Sequence, residues 1–156
     1  PDPGHFAGQR MKILGIDPGE KNIGIAISDP TGTLARPLTV IDHISKHANA
    51  ERISALAEHE AVSRIIIGQA TDVDGKPNFS GRKSARLAGE IRSMTAIPVE
   101  LWDESYSTRE AQETAVMLGV PQKARQGHLD QIAASIILQS YLDAHSANNP
   151  EDEETP

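Results

Sequence analysis

Apolar residues in the first third of the chain alternate with small or polar residues, which is the spacing of β-strands. Three such segments, Lys12–Asp17, Asn22–Ser28 and Leu34–Ile41, are separated by short turns rich in proline and glycine. A period of two with tight connections predicts an antiparallel meander. Pro37 has no backbone N–H group to donate to a neighbour, so it predicts an edge strand or a bulge in the third segment.

After the meander the apolar spacing changes to that of amphipathic helices, and helices then alternate with short strands. Because crossovers between parallel strands are right-handed, this order predicts an α/β fold: a five-stranded mixed sheet, order 3-2-1-4-5, with helices on both faces. The predicted elements are a helix Asn49–Glu60, a strand Arg64–Gly68, a loop Asp72–Asn78, a basic helix Gly81–Met94 with Ser80 as its N-cap, a strand Val99–Glu104, a helix opened by a Ser107–Glu110 capping box and ended at Gly119, and a last helix that begins near Leu129.

The two ends of the chain differ from the body. Residues 1–10 show no periodicity and precede Met11, so we expect an extension outside the fold. Residues 146–156 are polar and contain the acidic run Glu151–Glu154, which predicts a disordered tail. The remaining residues 11–145 have the length of a single domain.

Composition narrows the function classes. The 156 residues include no cysteine, which excludes a disulfide scaffold, a cysteine-ligated metal site and a cysteine nucleophile. No segment is long and apolar enough for a membrane helix and no secretory signal is present, so we expect a cytoplasmic protein without a membrane partner. Aromatic residues are only 3%, which predicts an aliphatic core. The net charge of -7 counts against a simple basic nucleic-acid binder, although four of these charges lie in the predicted tail.

Four acidic residues stand where the predicted elements end or begin. Asp17 ends the first strand, Asp103 and Glu104 end the last strand, and Asp130 opens the last helix. In the predicted sheet these positions converge, and several carboxylates in one place require a cation such as Mg²⁺ or Mn²⁺. Two such ions would suit phosphodiester hydrolysis. Side chains alternate along a strand, so only one of Asp103 and Glu104 faces the site. Taken singly, each acid is also typical of a turn or a helix start.

Basic residues form two groups that could contact phosphates. One lies on the helix after the fourth strand and the other precedes Asp130, with a further lysine beside Asp17. His128 could also shuttle a proton. The glycines Gly15, Gly19 and Gly24 suit either turns or close approach of a phosphate backbone. The candidate nucleic-acid-binding residues are Lys21, Arg82, Lys83, Arg86, Lys123, Arg125 and His128.

A resemblance to a known family runs along most of the chain. The opening segment Ile13–Gly19 with Lys21, Ile23-Gly24 and Ser28-Asp29 is similar to the start of the YqgF family, Holliday-junction-resolvase-like nucleases also assigned to pre-16S rRNA processing. Further matches follow in order at Pro37-Leu38, Ile65–Gly68, Asp74-Gly75, Asp103-Glu104 with Ser107-Thr108, and Asp130 with Ala133-Ala134, Ile137–Gln139 and Tyr141-Leu142. The resemblance covers roughly Met11 to Leu142.

The resemblance implies an RNase H-like fold and a Mg²⁺- or Mn²⁺-dependent nuclease, with two ions. It implies Asp17, Glu104 and Asp130 as catalytic residues, and Asp103 as a further candidate ligand. The chain departs from the family pattern at Asn22, where a basic residue is common. It departs also at Gln69, within a usual Gly-Leu-Pro, and at Ser105, within a usual Asp-Glu-Arg.

Three functions stay open at this point. The first is a nuclease acting on structured nucleic acid, either pre-16S rRNA or a branched DNA junction. The second, favoured by the altered Gln69 and Ser105, is a catalytically weak or inactive module that binds RNA or a protein partner. The third is an ATPase of the actin-like type, although that fold normally needs two such domains. A monomer and a homodimer are both compatible with the sequence.

Overall fold

The computed structural model describes residues 12–107, 111–114 and 129–154, and at residues 129–131 and 146–154 it describes the backbone alone. The strands are β1 (Ile13–Pro18), β2 (Asn22–Ser28), β3 (Ala35–Asp42), β4 (Arg64–Gln69) and β5 (Val99–Asp103). The helices are α1 (Lys46–His59), α2 (Phe79–Arg92) and α3 (Leu129–Glu154), with a 3₁₀ turn at Glu104–Tyr106. Residues 111–114 are also helical.

The strands form one mixed sheet in the order β3-β2-β1-β4-β5, which confirms the predicted topology. β1 pairs antiparallel with β2 and parallel with β4, so it lies at the centre. β3 is an edge strand, and its pairing with β2 shifts register where Pro37 faces Ala26. The interpretation of Pro37 as a mark of an edge or a bulge is therefore confirmed on both counts.

Helices cover both faces of the sheet. On one face, α1 and α2 pack over the isoleucines and leucines of β1, β2 and β4 in a cluster that includes Leu14, Ile16 and Ile67. On the other face, α3 packs over Ala26 and Ile66. The described core is aliphatic, as the low aromatic content predicts, and Tyr141 is its one buried aromatic side chain.

A buried amide joins α3 to the edge of the sheet. The Gln139 side chain accepts a hydrogen bond from the Ala35 N–H at 2.9 Å and donates one to the Thr33 carbonyl at 3.0 Å. Gln139 is only 2% exposed. Since a buried donor left without a partner costs free energy, these bonds fix where α3 crosses the sheet.

Element boundaries differ from the predicted ones where a side-chain cap lies earlier in the chain than the apolar pattern. α1 begins at Lys46 because the Ser45 hydroxyl accepts a hydrogen bond from the Ala48 N–H. α2 begins at Phe79 because Asn78, not Ser80, is its N-cap. The prediction of Ser80 as the cap is thus wrong, since the Asn78 carboxamide accepts from the Gly81 N–H at 2.9 Å and Ser80 already lies inside the first turn.

We expect Asn78→Ala to lower the free energy of unfolding by about 1 kcal/mol, the usual cost of an N-cap. Ser80→Ala is the matched control and is expected to change it by less than about 0.5 kcal/mol, because the exposed Ser80 hydroxyl caps no helix. Urea unfolding of the two variants measures the difference. Equal losses in the two variants would contradict the assignment of the cap.

The C-terminal segment of the chain differs from its prediction. The backbone of α3 is helical through Glu154, whereas the sequence predicts a disordered tail from residue 146. Polar residues alone do not stop a helix, and the apolar face of α3 simply ends before that segment. Residues 111–114 are helical, as the predicted helix requires, but residues 1–10, Glu110 and Gly119 lie outside the described residues. The N-terminal extension, the capping box and the end of that helix therefore stay predictions.

The helices in the described ranges do not include one with the length and apolarity needed to cross a membrane. The predicted cytoplasmic location stays a prediction.

Candidate active site

Asp17 lies near the end of the central strand, on the face that α3 covers. Gly15, two residues earlier on the same face, lies directly under α3, since a Cβ placed on it would be 2.7 Å from Leu138 Cβ. Asp17 itself is half-buried and pairs with Gly24 of the neighbouring strand β2. The carboxylate is therefore carried on a rigid strand at the margin of the α3 interface.

Gly68 on β4 is the neighbour of Asp17 when the parallel register is continued by one residue. Ile16 pairs with Ile67, and opposite residues of parallel strands share a face. Gly68 has no side chain, and the Glu104 carboxylate occupies the space above it. Glu104 Oε2 is 3.2 Å from the position that a Cβ on Gly68 would take. Asp17 therefore ends β1, and the Glu104 carboxylate, which comes from the turn after β5, lies on the same face over the intervening strand β4.

Glu104 is partly buried, and its environment disfavours the charged form. Desolvation raises the pKa of this carboxyl above its usual range, and the nearby charge of Asp103 raises it further. The predicted strand Val99–Glu104 is one residue too long, because Glu104 opens the 3₁₀ turn instead. This turn places the Glu104 side chain over Gly68 of β4.

Asp103 is held by hydrogen bonds that stabilise the turn itself. Its carboxylate accepts from the Ser105 N–H at 2.9 Å and from the Thr71 hydroxyl at 3.0 Å. Desolvation raises the pKa of Asp103, but these bonds together outweigh it and leave the pKa below its usual value. The Asp103 carboxylate thus caps the turn that carries Glu104.

Asp130 lies in the first turn of α3, and its side chain is outside the described part of the structure. The helix spacing still relates it to described residues. Ala134, one turn later, is fully buried, and Leu138, two turns later, lies against Gly15. In the backbone of α3, Asp130 thus precedes these two sheet-facing residues by one and two turns.

The part of the chain that the structure describes contains no group of three acidic or histidine side chains close enough to hold a metal ion. Asp17, Asp103 and Glu104 are among the described side chains, whereas that of Asp130 is not. The four-residue ligand set predicted from the sequence stays a prediction.

Lys83 and Arg86 line a cavity of about 630 Å³ beside the β1–β2 turn. The cavity lies between this turn and the N-terminal halves of α1 and α2. His43 and Lys46, from the segment before and at the start of α1, complete its basic lining. Sequence analysis does not identify His43 and Lys46 as part of this lining, because they are distant along the chain from Lys83 and Arg86.

The other predicted basic residues lie elsewhere. Lys21 is exposed in the β1–β2 turn. Arg82 donates a hydrogen bond to the Pro77 carbonyl at 3.3 Å and lies 5.8 Å from the centre of the Phe79 ring. Lys123, Arg125 and His128 lie outside the described residues.

Two of the departures from the family pattern have structural contacts here. Gln69 donates to the Gly81 carbonyl at 3.0 Å, which ties the end of β4 to the first turn of α2. Ser105 supplies the N–H group that binds Asp103. Asn22 begins β2 opposite Asp42. The altered residues at 69 and 105 therefore take part in holding the strand ends in place.

Residues 11–144 match the protein family described as "RuvX: Holliday junction resolvase". A protein of Syntrophus aciditrophicus named "Putative pre-16S rRNA nuclease" is 41% identical over 136 residues, which are 87% of this chain and 91% of that protein. The chain belongs to the RuvX family. A RuvX relative of the same name from Thermoanaerobacter pseudethanolicus is 37% identical over 135 residues, 86% of this chain and 97% of the relative.

Solved structures show the same fold at low sequence identity. RuvC of Thermus thermophilus in complex with a Holliday junction substrate superimposes with a TM-score of 0.61 at 19% identity, over 88% of this chain and 97% of RuvC. The fowlpox virus resolvase bound to Holliday junction DNA gives a TM-score of 0.52 at 17% identity, over 86% and 99% of the two chains. Together with the strand order, these similarities confirm the RNase H-like fold and the family predicted from the sequence.

Proposed function

We propose that this RuvX-family chain is a divalent-metal-dependent nuclease that hydrolyses phosphodiester bonds in structured nucleic acid, with pre-16S rRNA as its first candidate substrate. The observation that carries the proposal is that Asp17 and the Glu104 carboxylate lie on one face of the sheet, at the ends of the paired strands β1 and β4. The names of the RuvX relatives support an RNA substrate. The family description supports a four-way DNA junction as the alternative.

The donor set fits Mg²⁺ or Mn²⁺. Both described donors are carboxylates, which hard cations prefer. Burial, and after it the charge of Asp103, raises the pKa of Glu104, and a bound cation would favour the charged form of this carboxyl. Asp17, Glu104 and Asp130 would hold the metal, and we expect two ions to bind there. When bound, such ions stabilise developing charge on the phosphodiester and lower the pKa of water.

The chain's own residues supply positioning. Asp17 and Glu104 are carried by a central strand and a capped turn, so neither carboxylate depends on a long loop for its placement. Asp103 acts as a positioning residue, since its bonds to Ser105 and Thr71 hold the turn. Packing of α3 over Gly15 excludes water from one side of the site. We infer that Lys21, which is exposed in the β1–β2 turn, contacts a phosphate near Asp17.

We expect the purified protein to cleave a pre-16S rRNA fragment with Mg²⁺ or Mn²⁺ and to leave it intact in EDTA, because the carboxylates need the cation to bind a phosphodiester. Gel analysis of the RNA and of a four-way DNA junction, in parallel, separates the two substrates. Asp17→Asn should be inactive. Asp42→Asn, the same change at an exposed residue at the end of β3, should retain the wild-type rate.

Three outcomes would contradict the proposal. Cleavage that persists in EDTA or in Asp17→Asn would point to a different site or a contaminant. Binding of RNA without cleavage under any metal would instead support the non-catalytic module. ATP turnover without cleavage would support the actin-like alternative.

A further inference from the structure

We propose that the cavity beside the β1–β2 turn binds an unpaired nucleotide of the substrate strand. This inference rests on the proposed nuclease function and names a contact of the substrate outside the acidic site. The cavity has a volume of about 630 Å³, within the usual range for sites that hold small organic groups. It lies between the turn, α1 and α2, on the sheet face opposite α3.

The lining combines an apolar floor with a basic rim. Ile23 and Leu87 are buried side chains that offer a surface for a flat base. Lys46, Lys83 and Arg86 are exposed at the rim, and none of the three forms an ion pair with another described residue. Glu20 is the acidic residue among the lining residues. An apolar floor beneath a net positive rim matches a base attached to a phosphate.

Parts of the rim are held in place before any ligand arrives. Lys83 Nζ lies 4.6 Å from the centre of the Phe79 ring, a cation–π distance. The carboxamide of Asn49, which is 2% exposed, contacts His43 Nδ1 at 3.3 Å and accepts from the Ile44 N–H at 3.0 Å. A buried amide thus orients His43 toward the cavity wall. Prior ordering of these groups lowers the entropy cost of binding.

The cavity is one short turn away from the acids. Asp17 faces α3, whereas Pro18 and Gly19, which follow it directly, line the cavity on the other side of the sheet. A nucleic-acid strand that crosses the β1–β2 turn therefore reaches both the acidic residues and the cavity. A base-paired duplex cannot place a base in the cavity, so the contact selects substrates with unpaired nucleotides next to the cleaved bond.

RNA-binding measurements test whether the cavity binds an unpaired nucleotide, and they do not require cleavage. We would measure the fluorescence anisotropy of a labelled RNA duplex with a single-stranded overhang, and of the blunt duplex, using the full chain with Asp17→Asn. The double variant Lys46→Gln/Arg86→Gln is expected to lower affinity for the overhang RNA about tenfold, as two charged contacts are lost. The slope of log affinity against log salt should fall by about 1.4, or 0.7 per phosphate on a single strand. Affinity for the blunt duplex should change less than about twofold.

Two further variants distinguish binding of RNA in the cavity from nonspecific attraction by the positive charge of the surface. Arg36→Gln removes an exposed arginine from the edge strand β3 and should alter neither affinity. Ser80→Trp fills the cavity without changing charge and should remove the preference for the overhang. An overhang with abasic nucleotides keeps its phosphates but loses the bases, so the Asp17→Asn chain should bind it more weakly than the intact overhang and more tightly than the blunt duplex. Circular dichroism and thermal melting check that each variant is folded.

Equal losses for overhang and blunt RNA in the double variant would overturn the proposal, because they would show only long-range attraction. Adenosine monophosphate that binds the cavity while the overhang does not would also overturn it and assign the cavity to a free nucleotide. If the chain binds the overhang as expected and cleaves nothing, the nuclease function fails and the cavity assignment stands.

Discussion

Replacing Glu104 by Gln is expected to lower the rate of metal-dependent cleavage by about a thousandfold or more, whereas replacing Asp103 by Asn leaves most of the activity. Loss of one charged ligand removes several kcal/mol of transition-state stabilisation, and each 1.4 kcal/mol is about a factor of ten in rate. The Glu104 carboxylate lies over Gly68, beside Asp17, and Gln would keep its size but lose its charge. Single-turnover cleavage with saturating metal measures the effect.

Asp103→Asn is the matched control because the two acids are adjacent in the chain and share the turn. Asn retains an oxygen that accepts from the Ser105 N–H and the Thr71 hydroxyl, so the turn should keep its shape at a cost of about 1 kcal/mol in stability. Isothermal calorimetry with Mn²⁺ provides a second measurement. We expect Glu104→Gln to weaken Mn²⁺ binding and Asp103→Asn to leave it nearly unchanged. A reversed ranking of the two variants would assign Asp103, not Glu104, to the metal.

The sequence distinguishes these two acids poorly, because a bond from a distant residue helps to decide where β5 ends. Strand alternation predicts that one of the pair faces the site, but it assumes that β5 continues through Glu104. The strand instead ends at Asp103, whose bonds to Ser105 and Thr71 form a turn. Thr71 comes from the loop after β4, so this arrangement depends on a contact between distant parts of the chain.

The strand order was accessible from the sequence because each rule behind it is local. Alternating isoleucines in β2, the short turns and Pro37 act within a few residues, and right-handed crossovers order the remaining strands. The cavity was not accessible in this way. Lys46 lines the same cavity as Lys83 and Arg86 only because α1 and α2 pack side by side over the same face of the sheet.

Gly15 is a further case in which the sequence allows the wrong explanation. The interpretation of Gly15 as a turn or a place for phosphate approach is wrong, because it lies in the middle of β1 beneath Leu138 of α3. The missing side chain permits a helix from the far end of the chain to lie close to the central strand. Only the packed structure reveals that partner.

Gly15→Ala is therefore expected to lower the free energy of unfolding by about 2 kcal/mol and the melting temperature by about 4–8 °C. The added Cβ would lie 2.7 Å from Leu138 Cβ, and neither atom can move by changing a rotamer. α3 must shift away from β1, and the shift also displaces the helix end that carries Asp130. Since misplacement by about 1 Å can cost up to a hundredfold in rate, we expect cleavage to fall about tenfold to a hundredfold.

Gly89→Ala makes the same chemical change where there is space, since nothing lies within 4 Å of its added Cβ. This residue is inside α2, so alanine should stabilise the protein by about 0.5–1 kcal/mol and leave cleavage unchanged. Thermal melting and cleavage rates of both variants make the comparison. If Gly15→Ala melts as the wild type does but cleaves slowly, the effect on activity does not come from displaced packing of α3. If it melts early but cleaves at the full rate, the position of α3 against β1 is not what places Asp130 for catalysis.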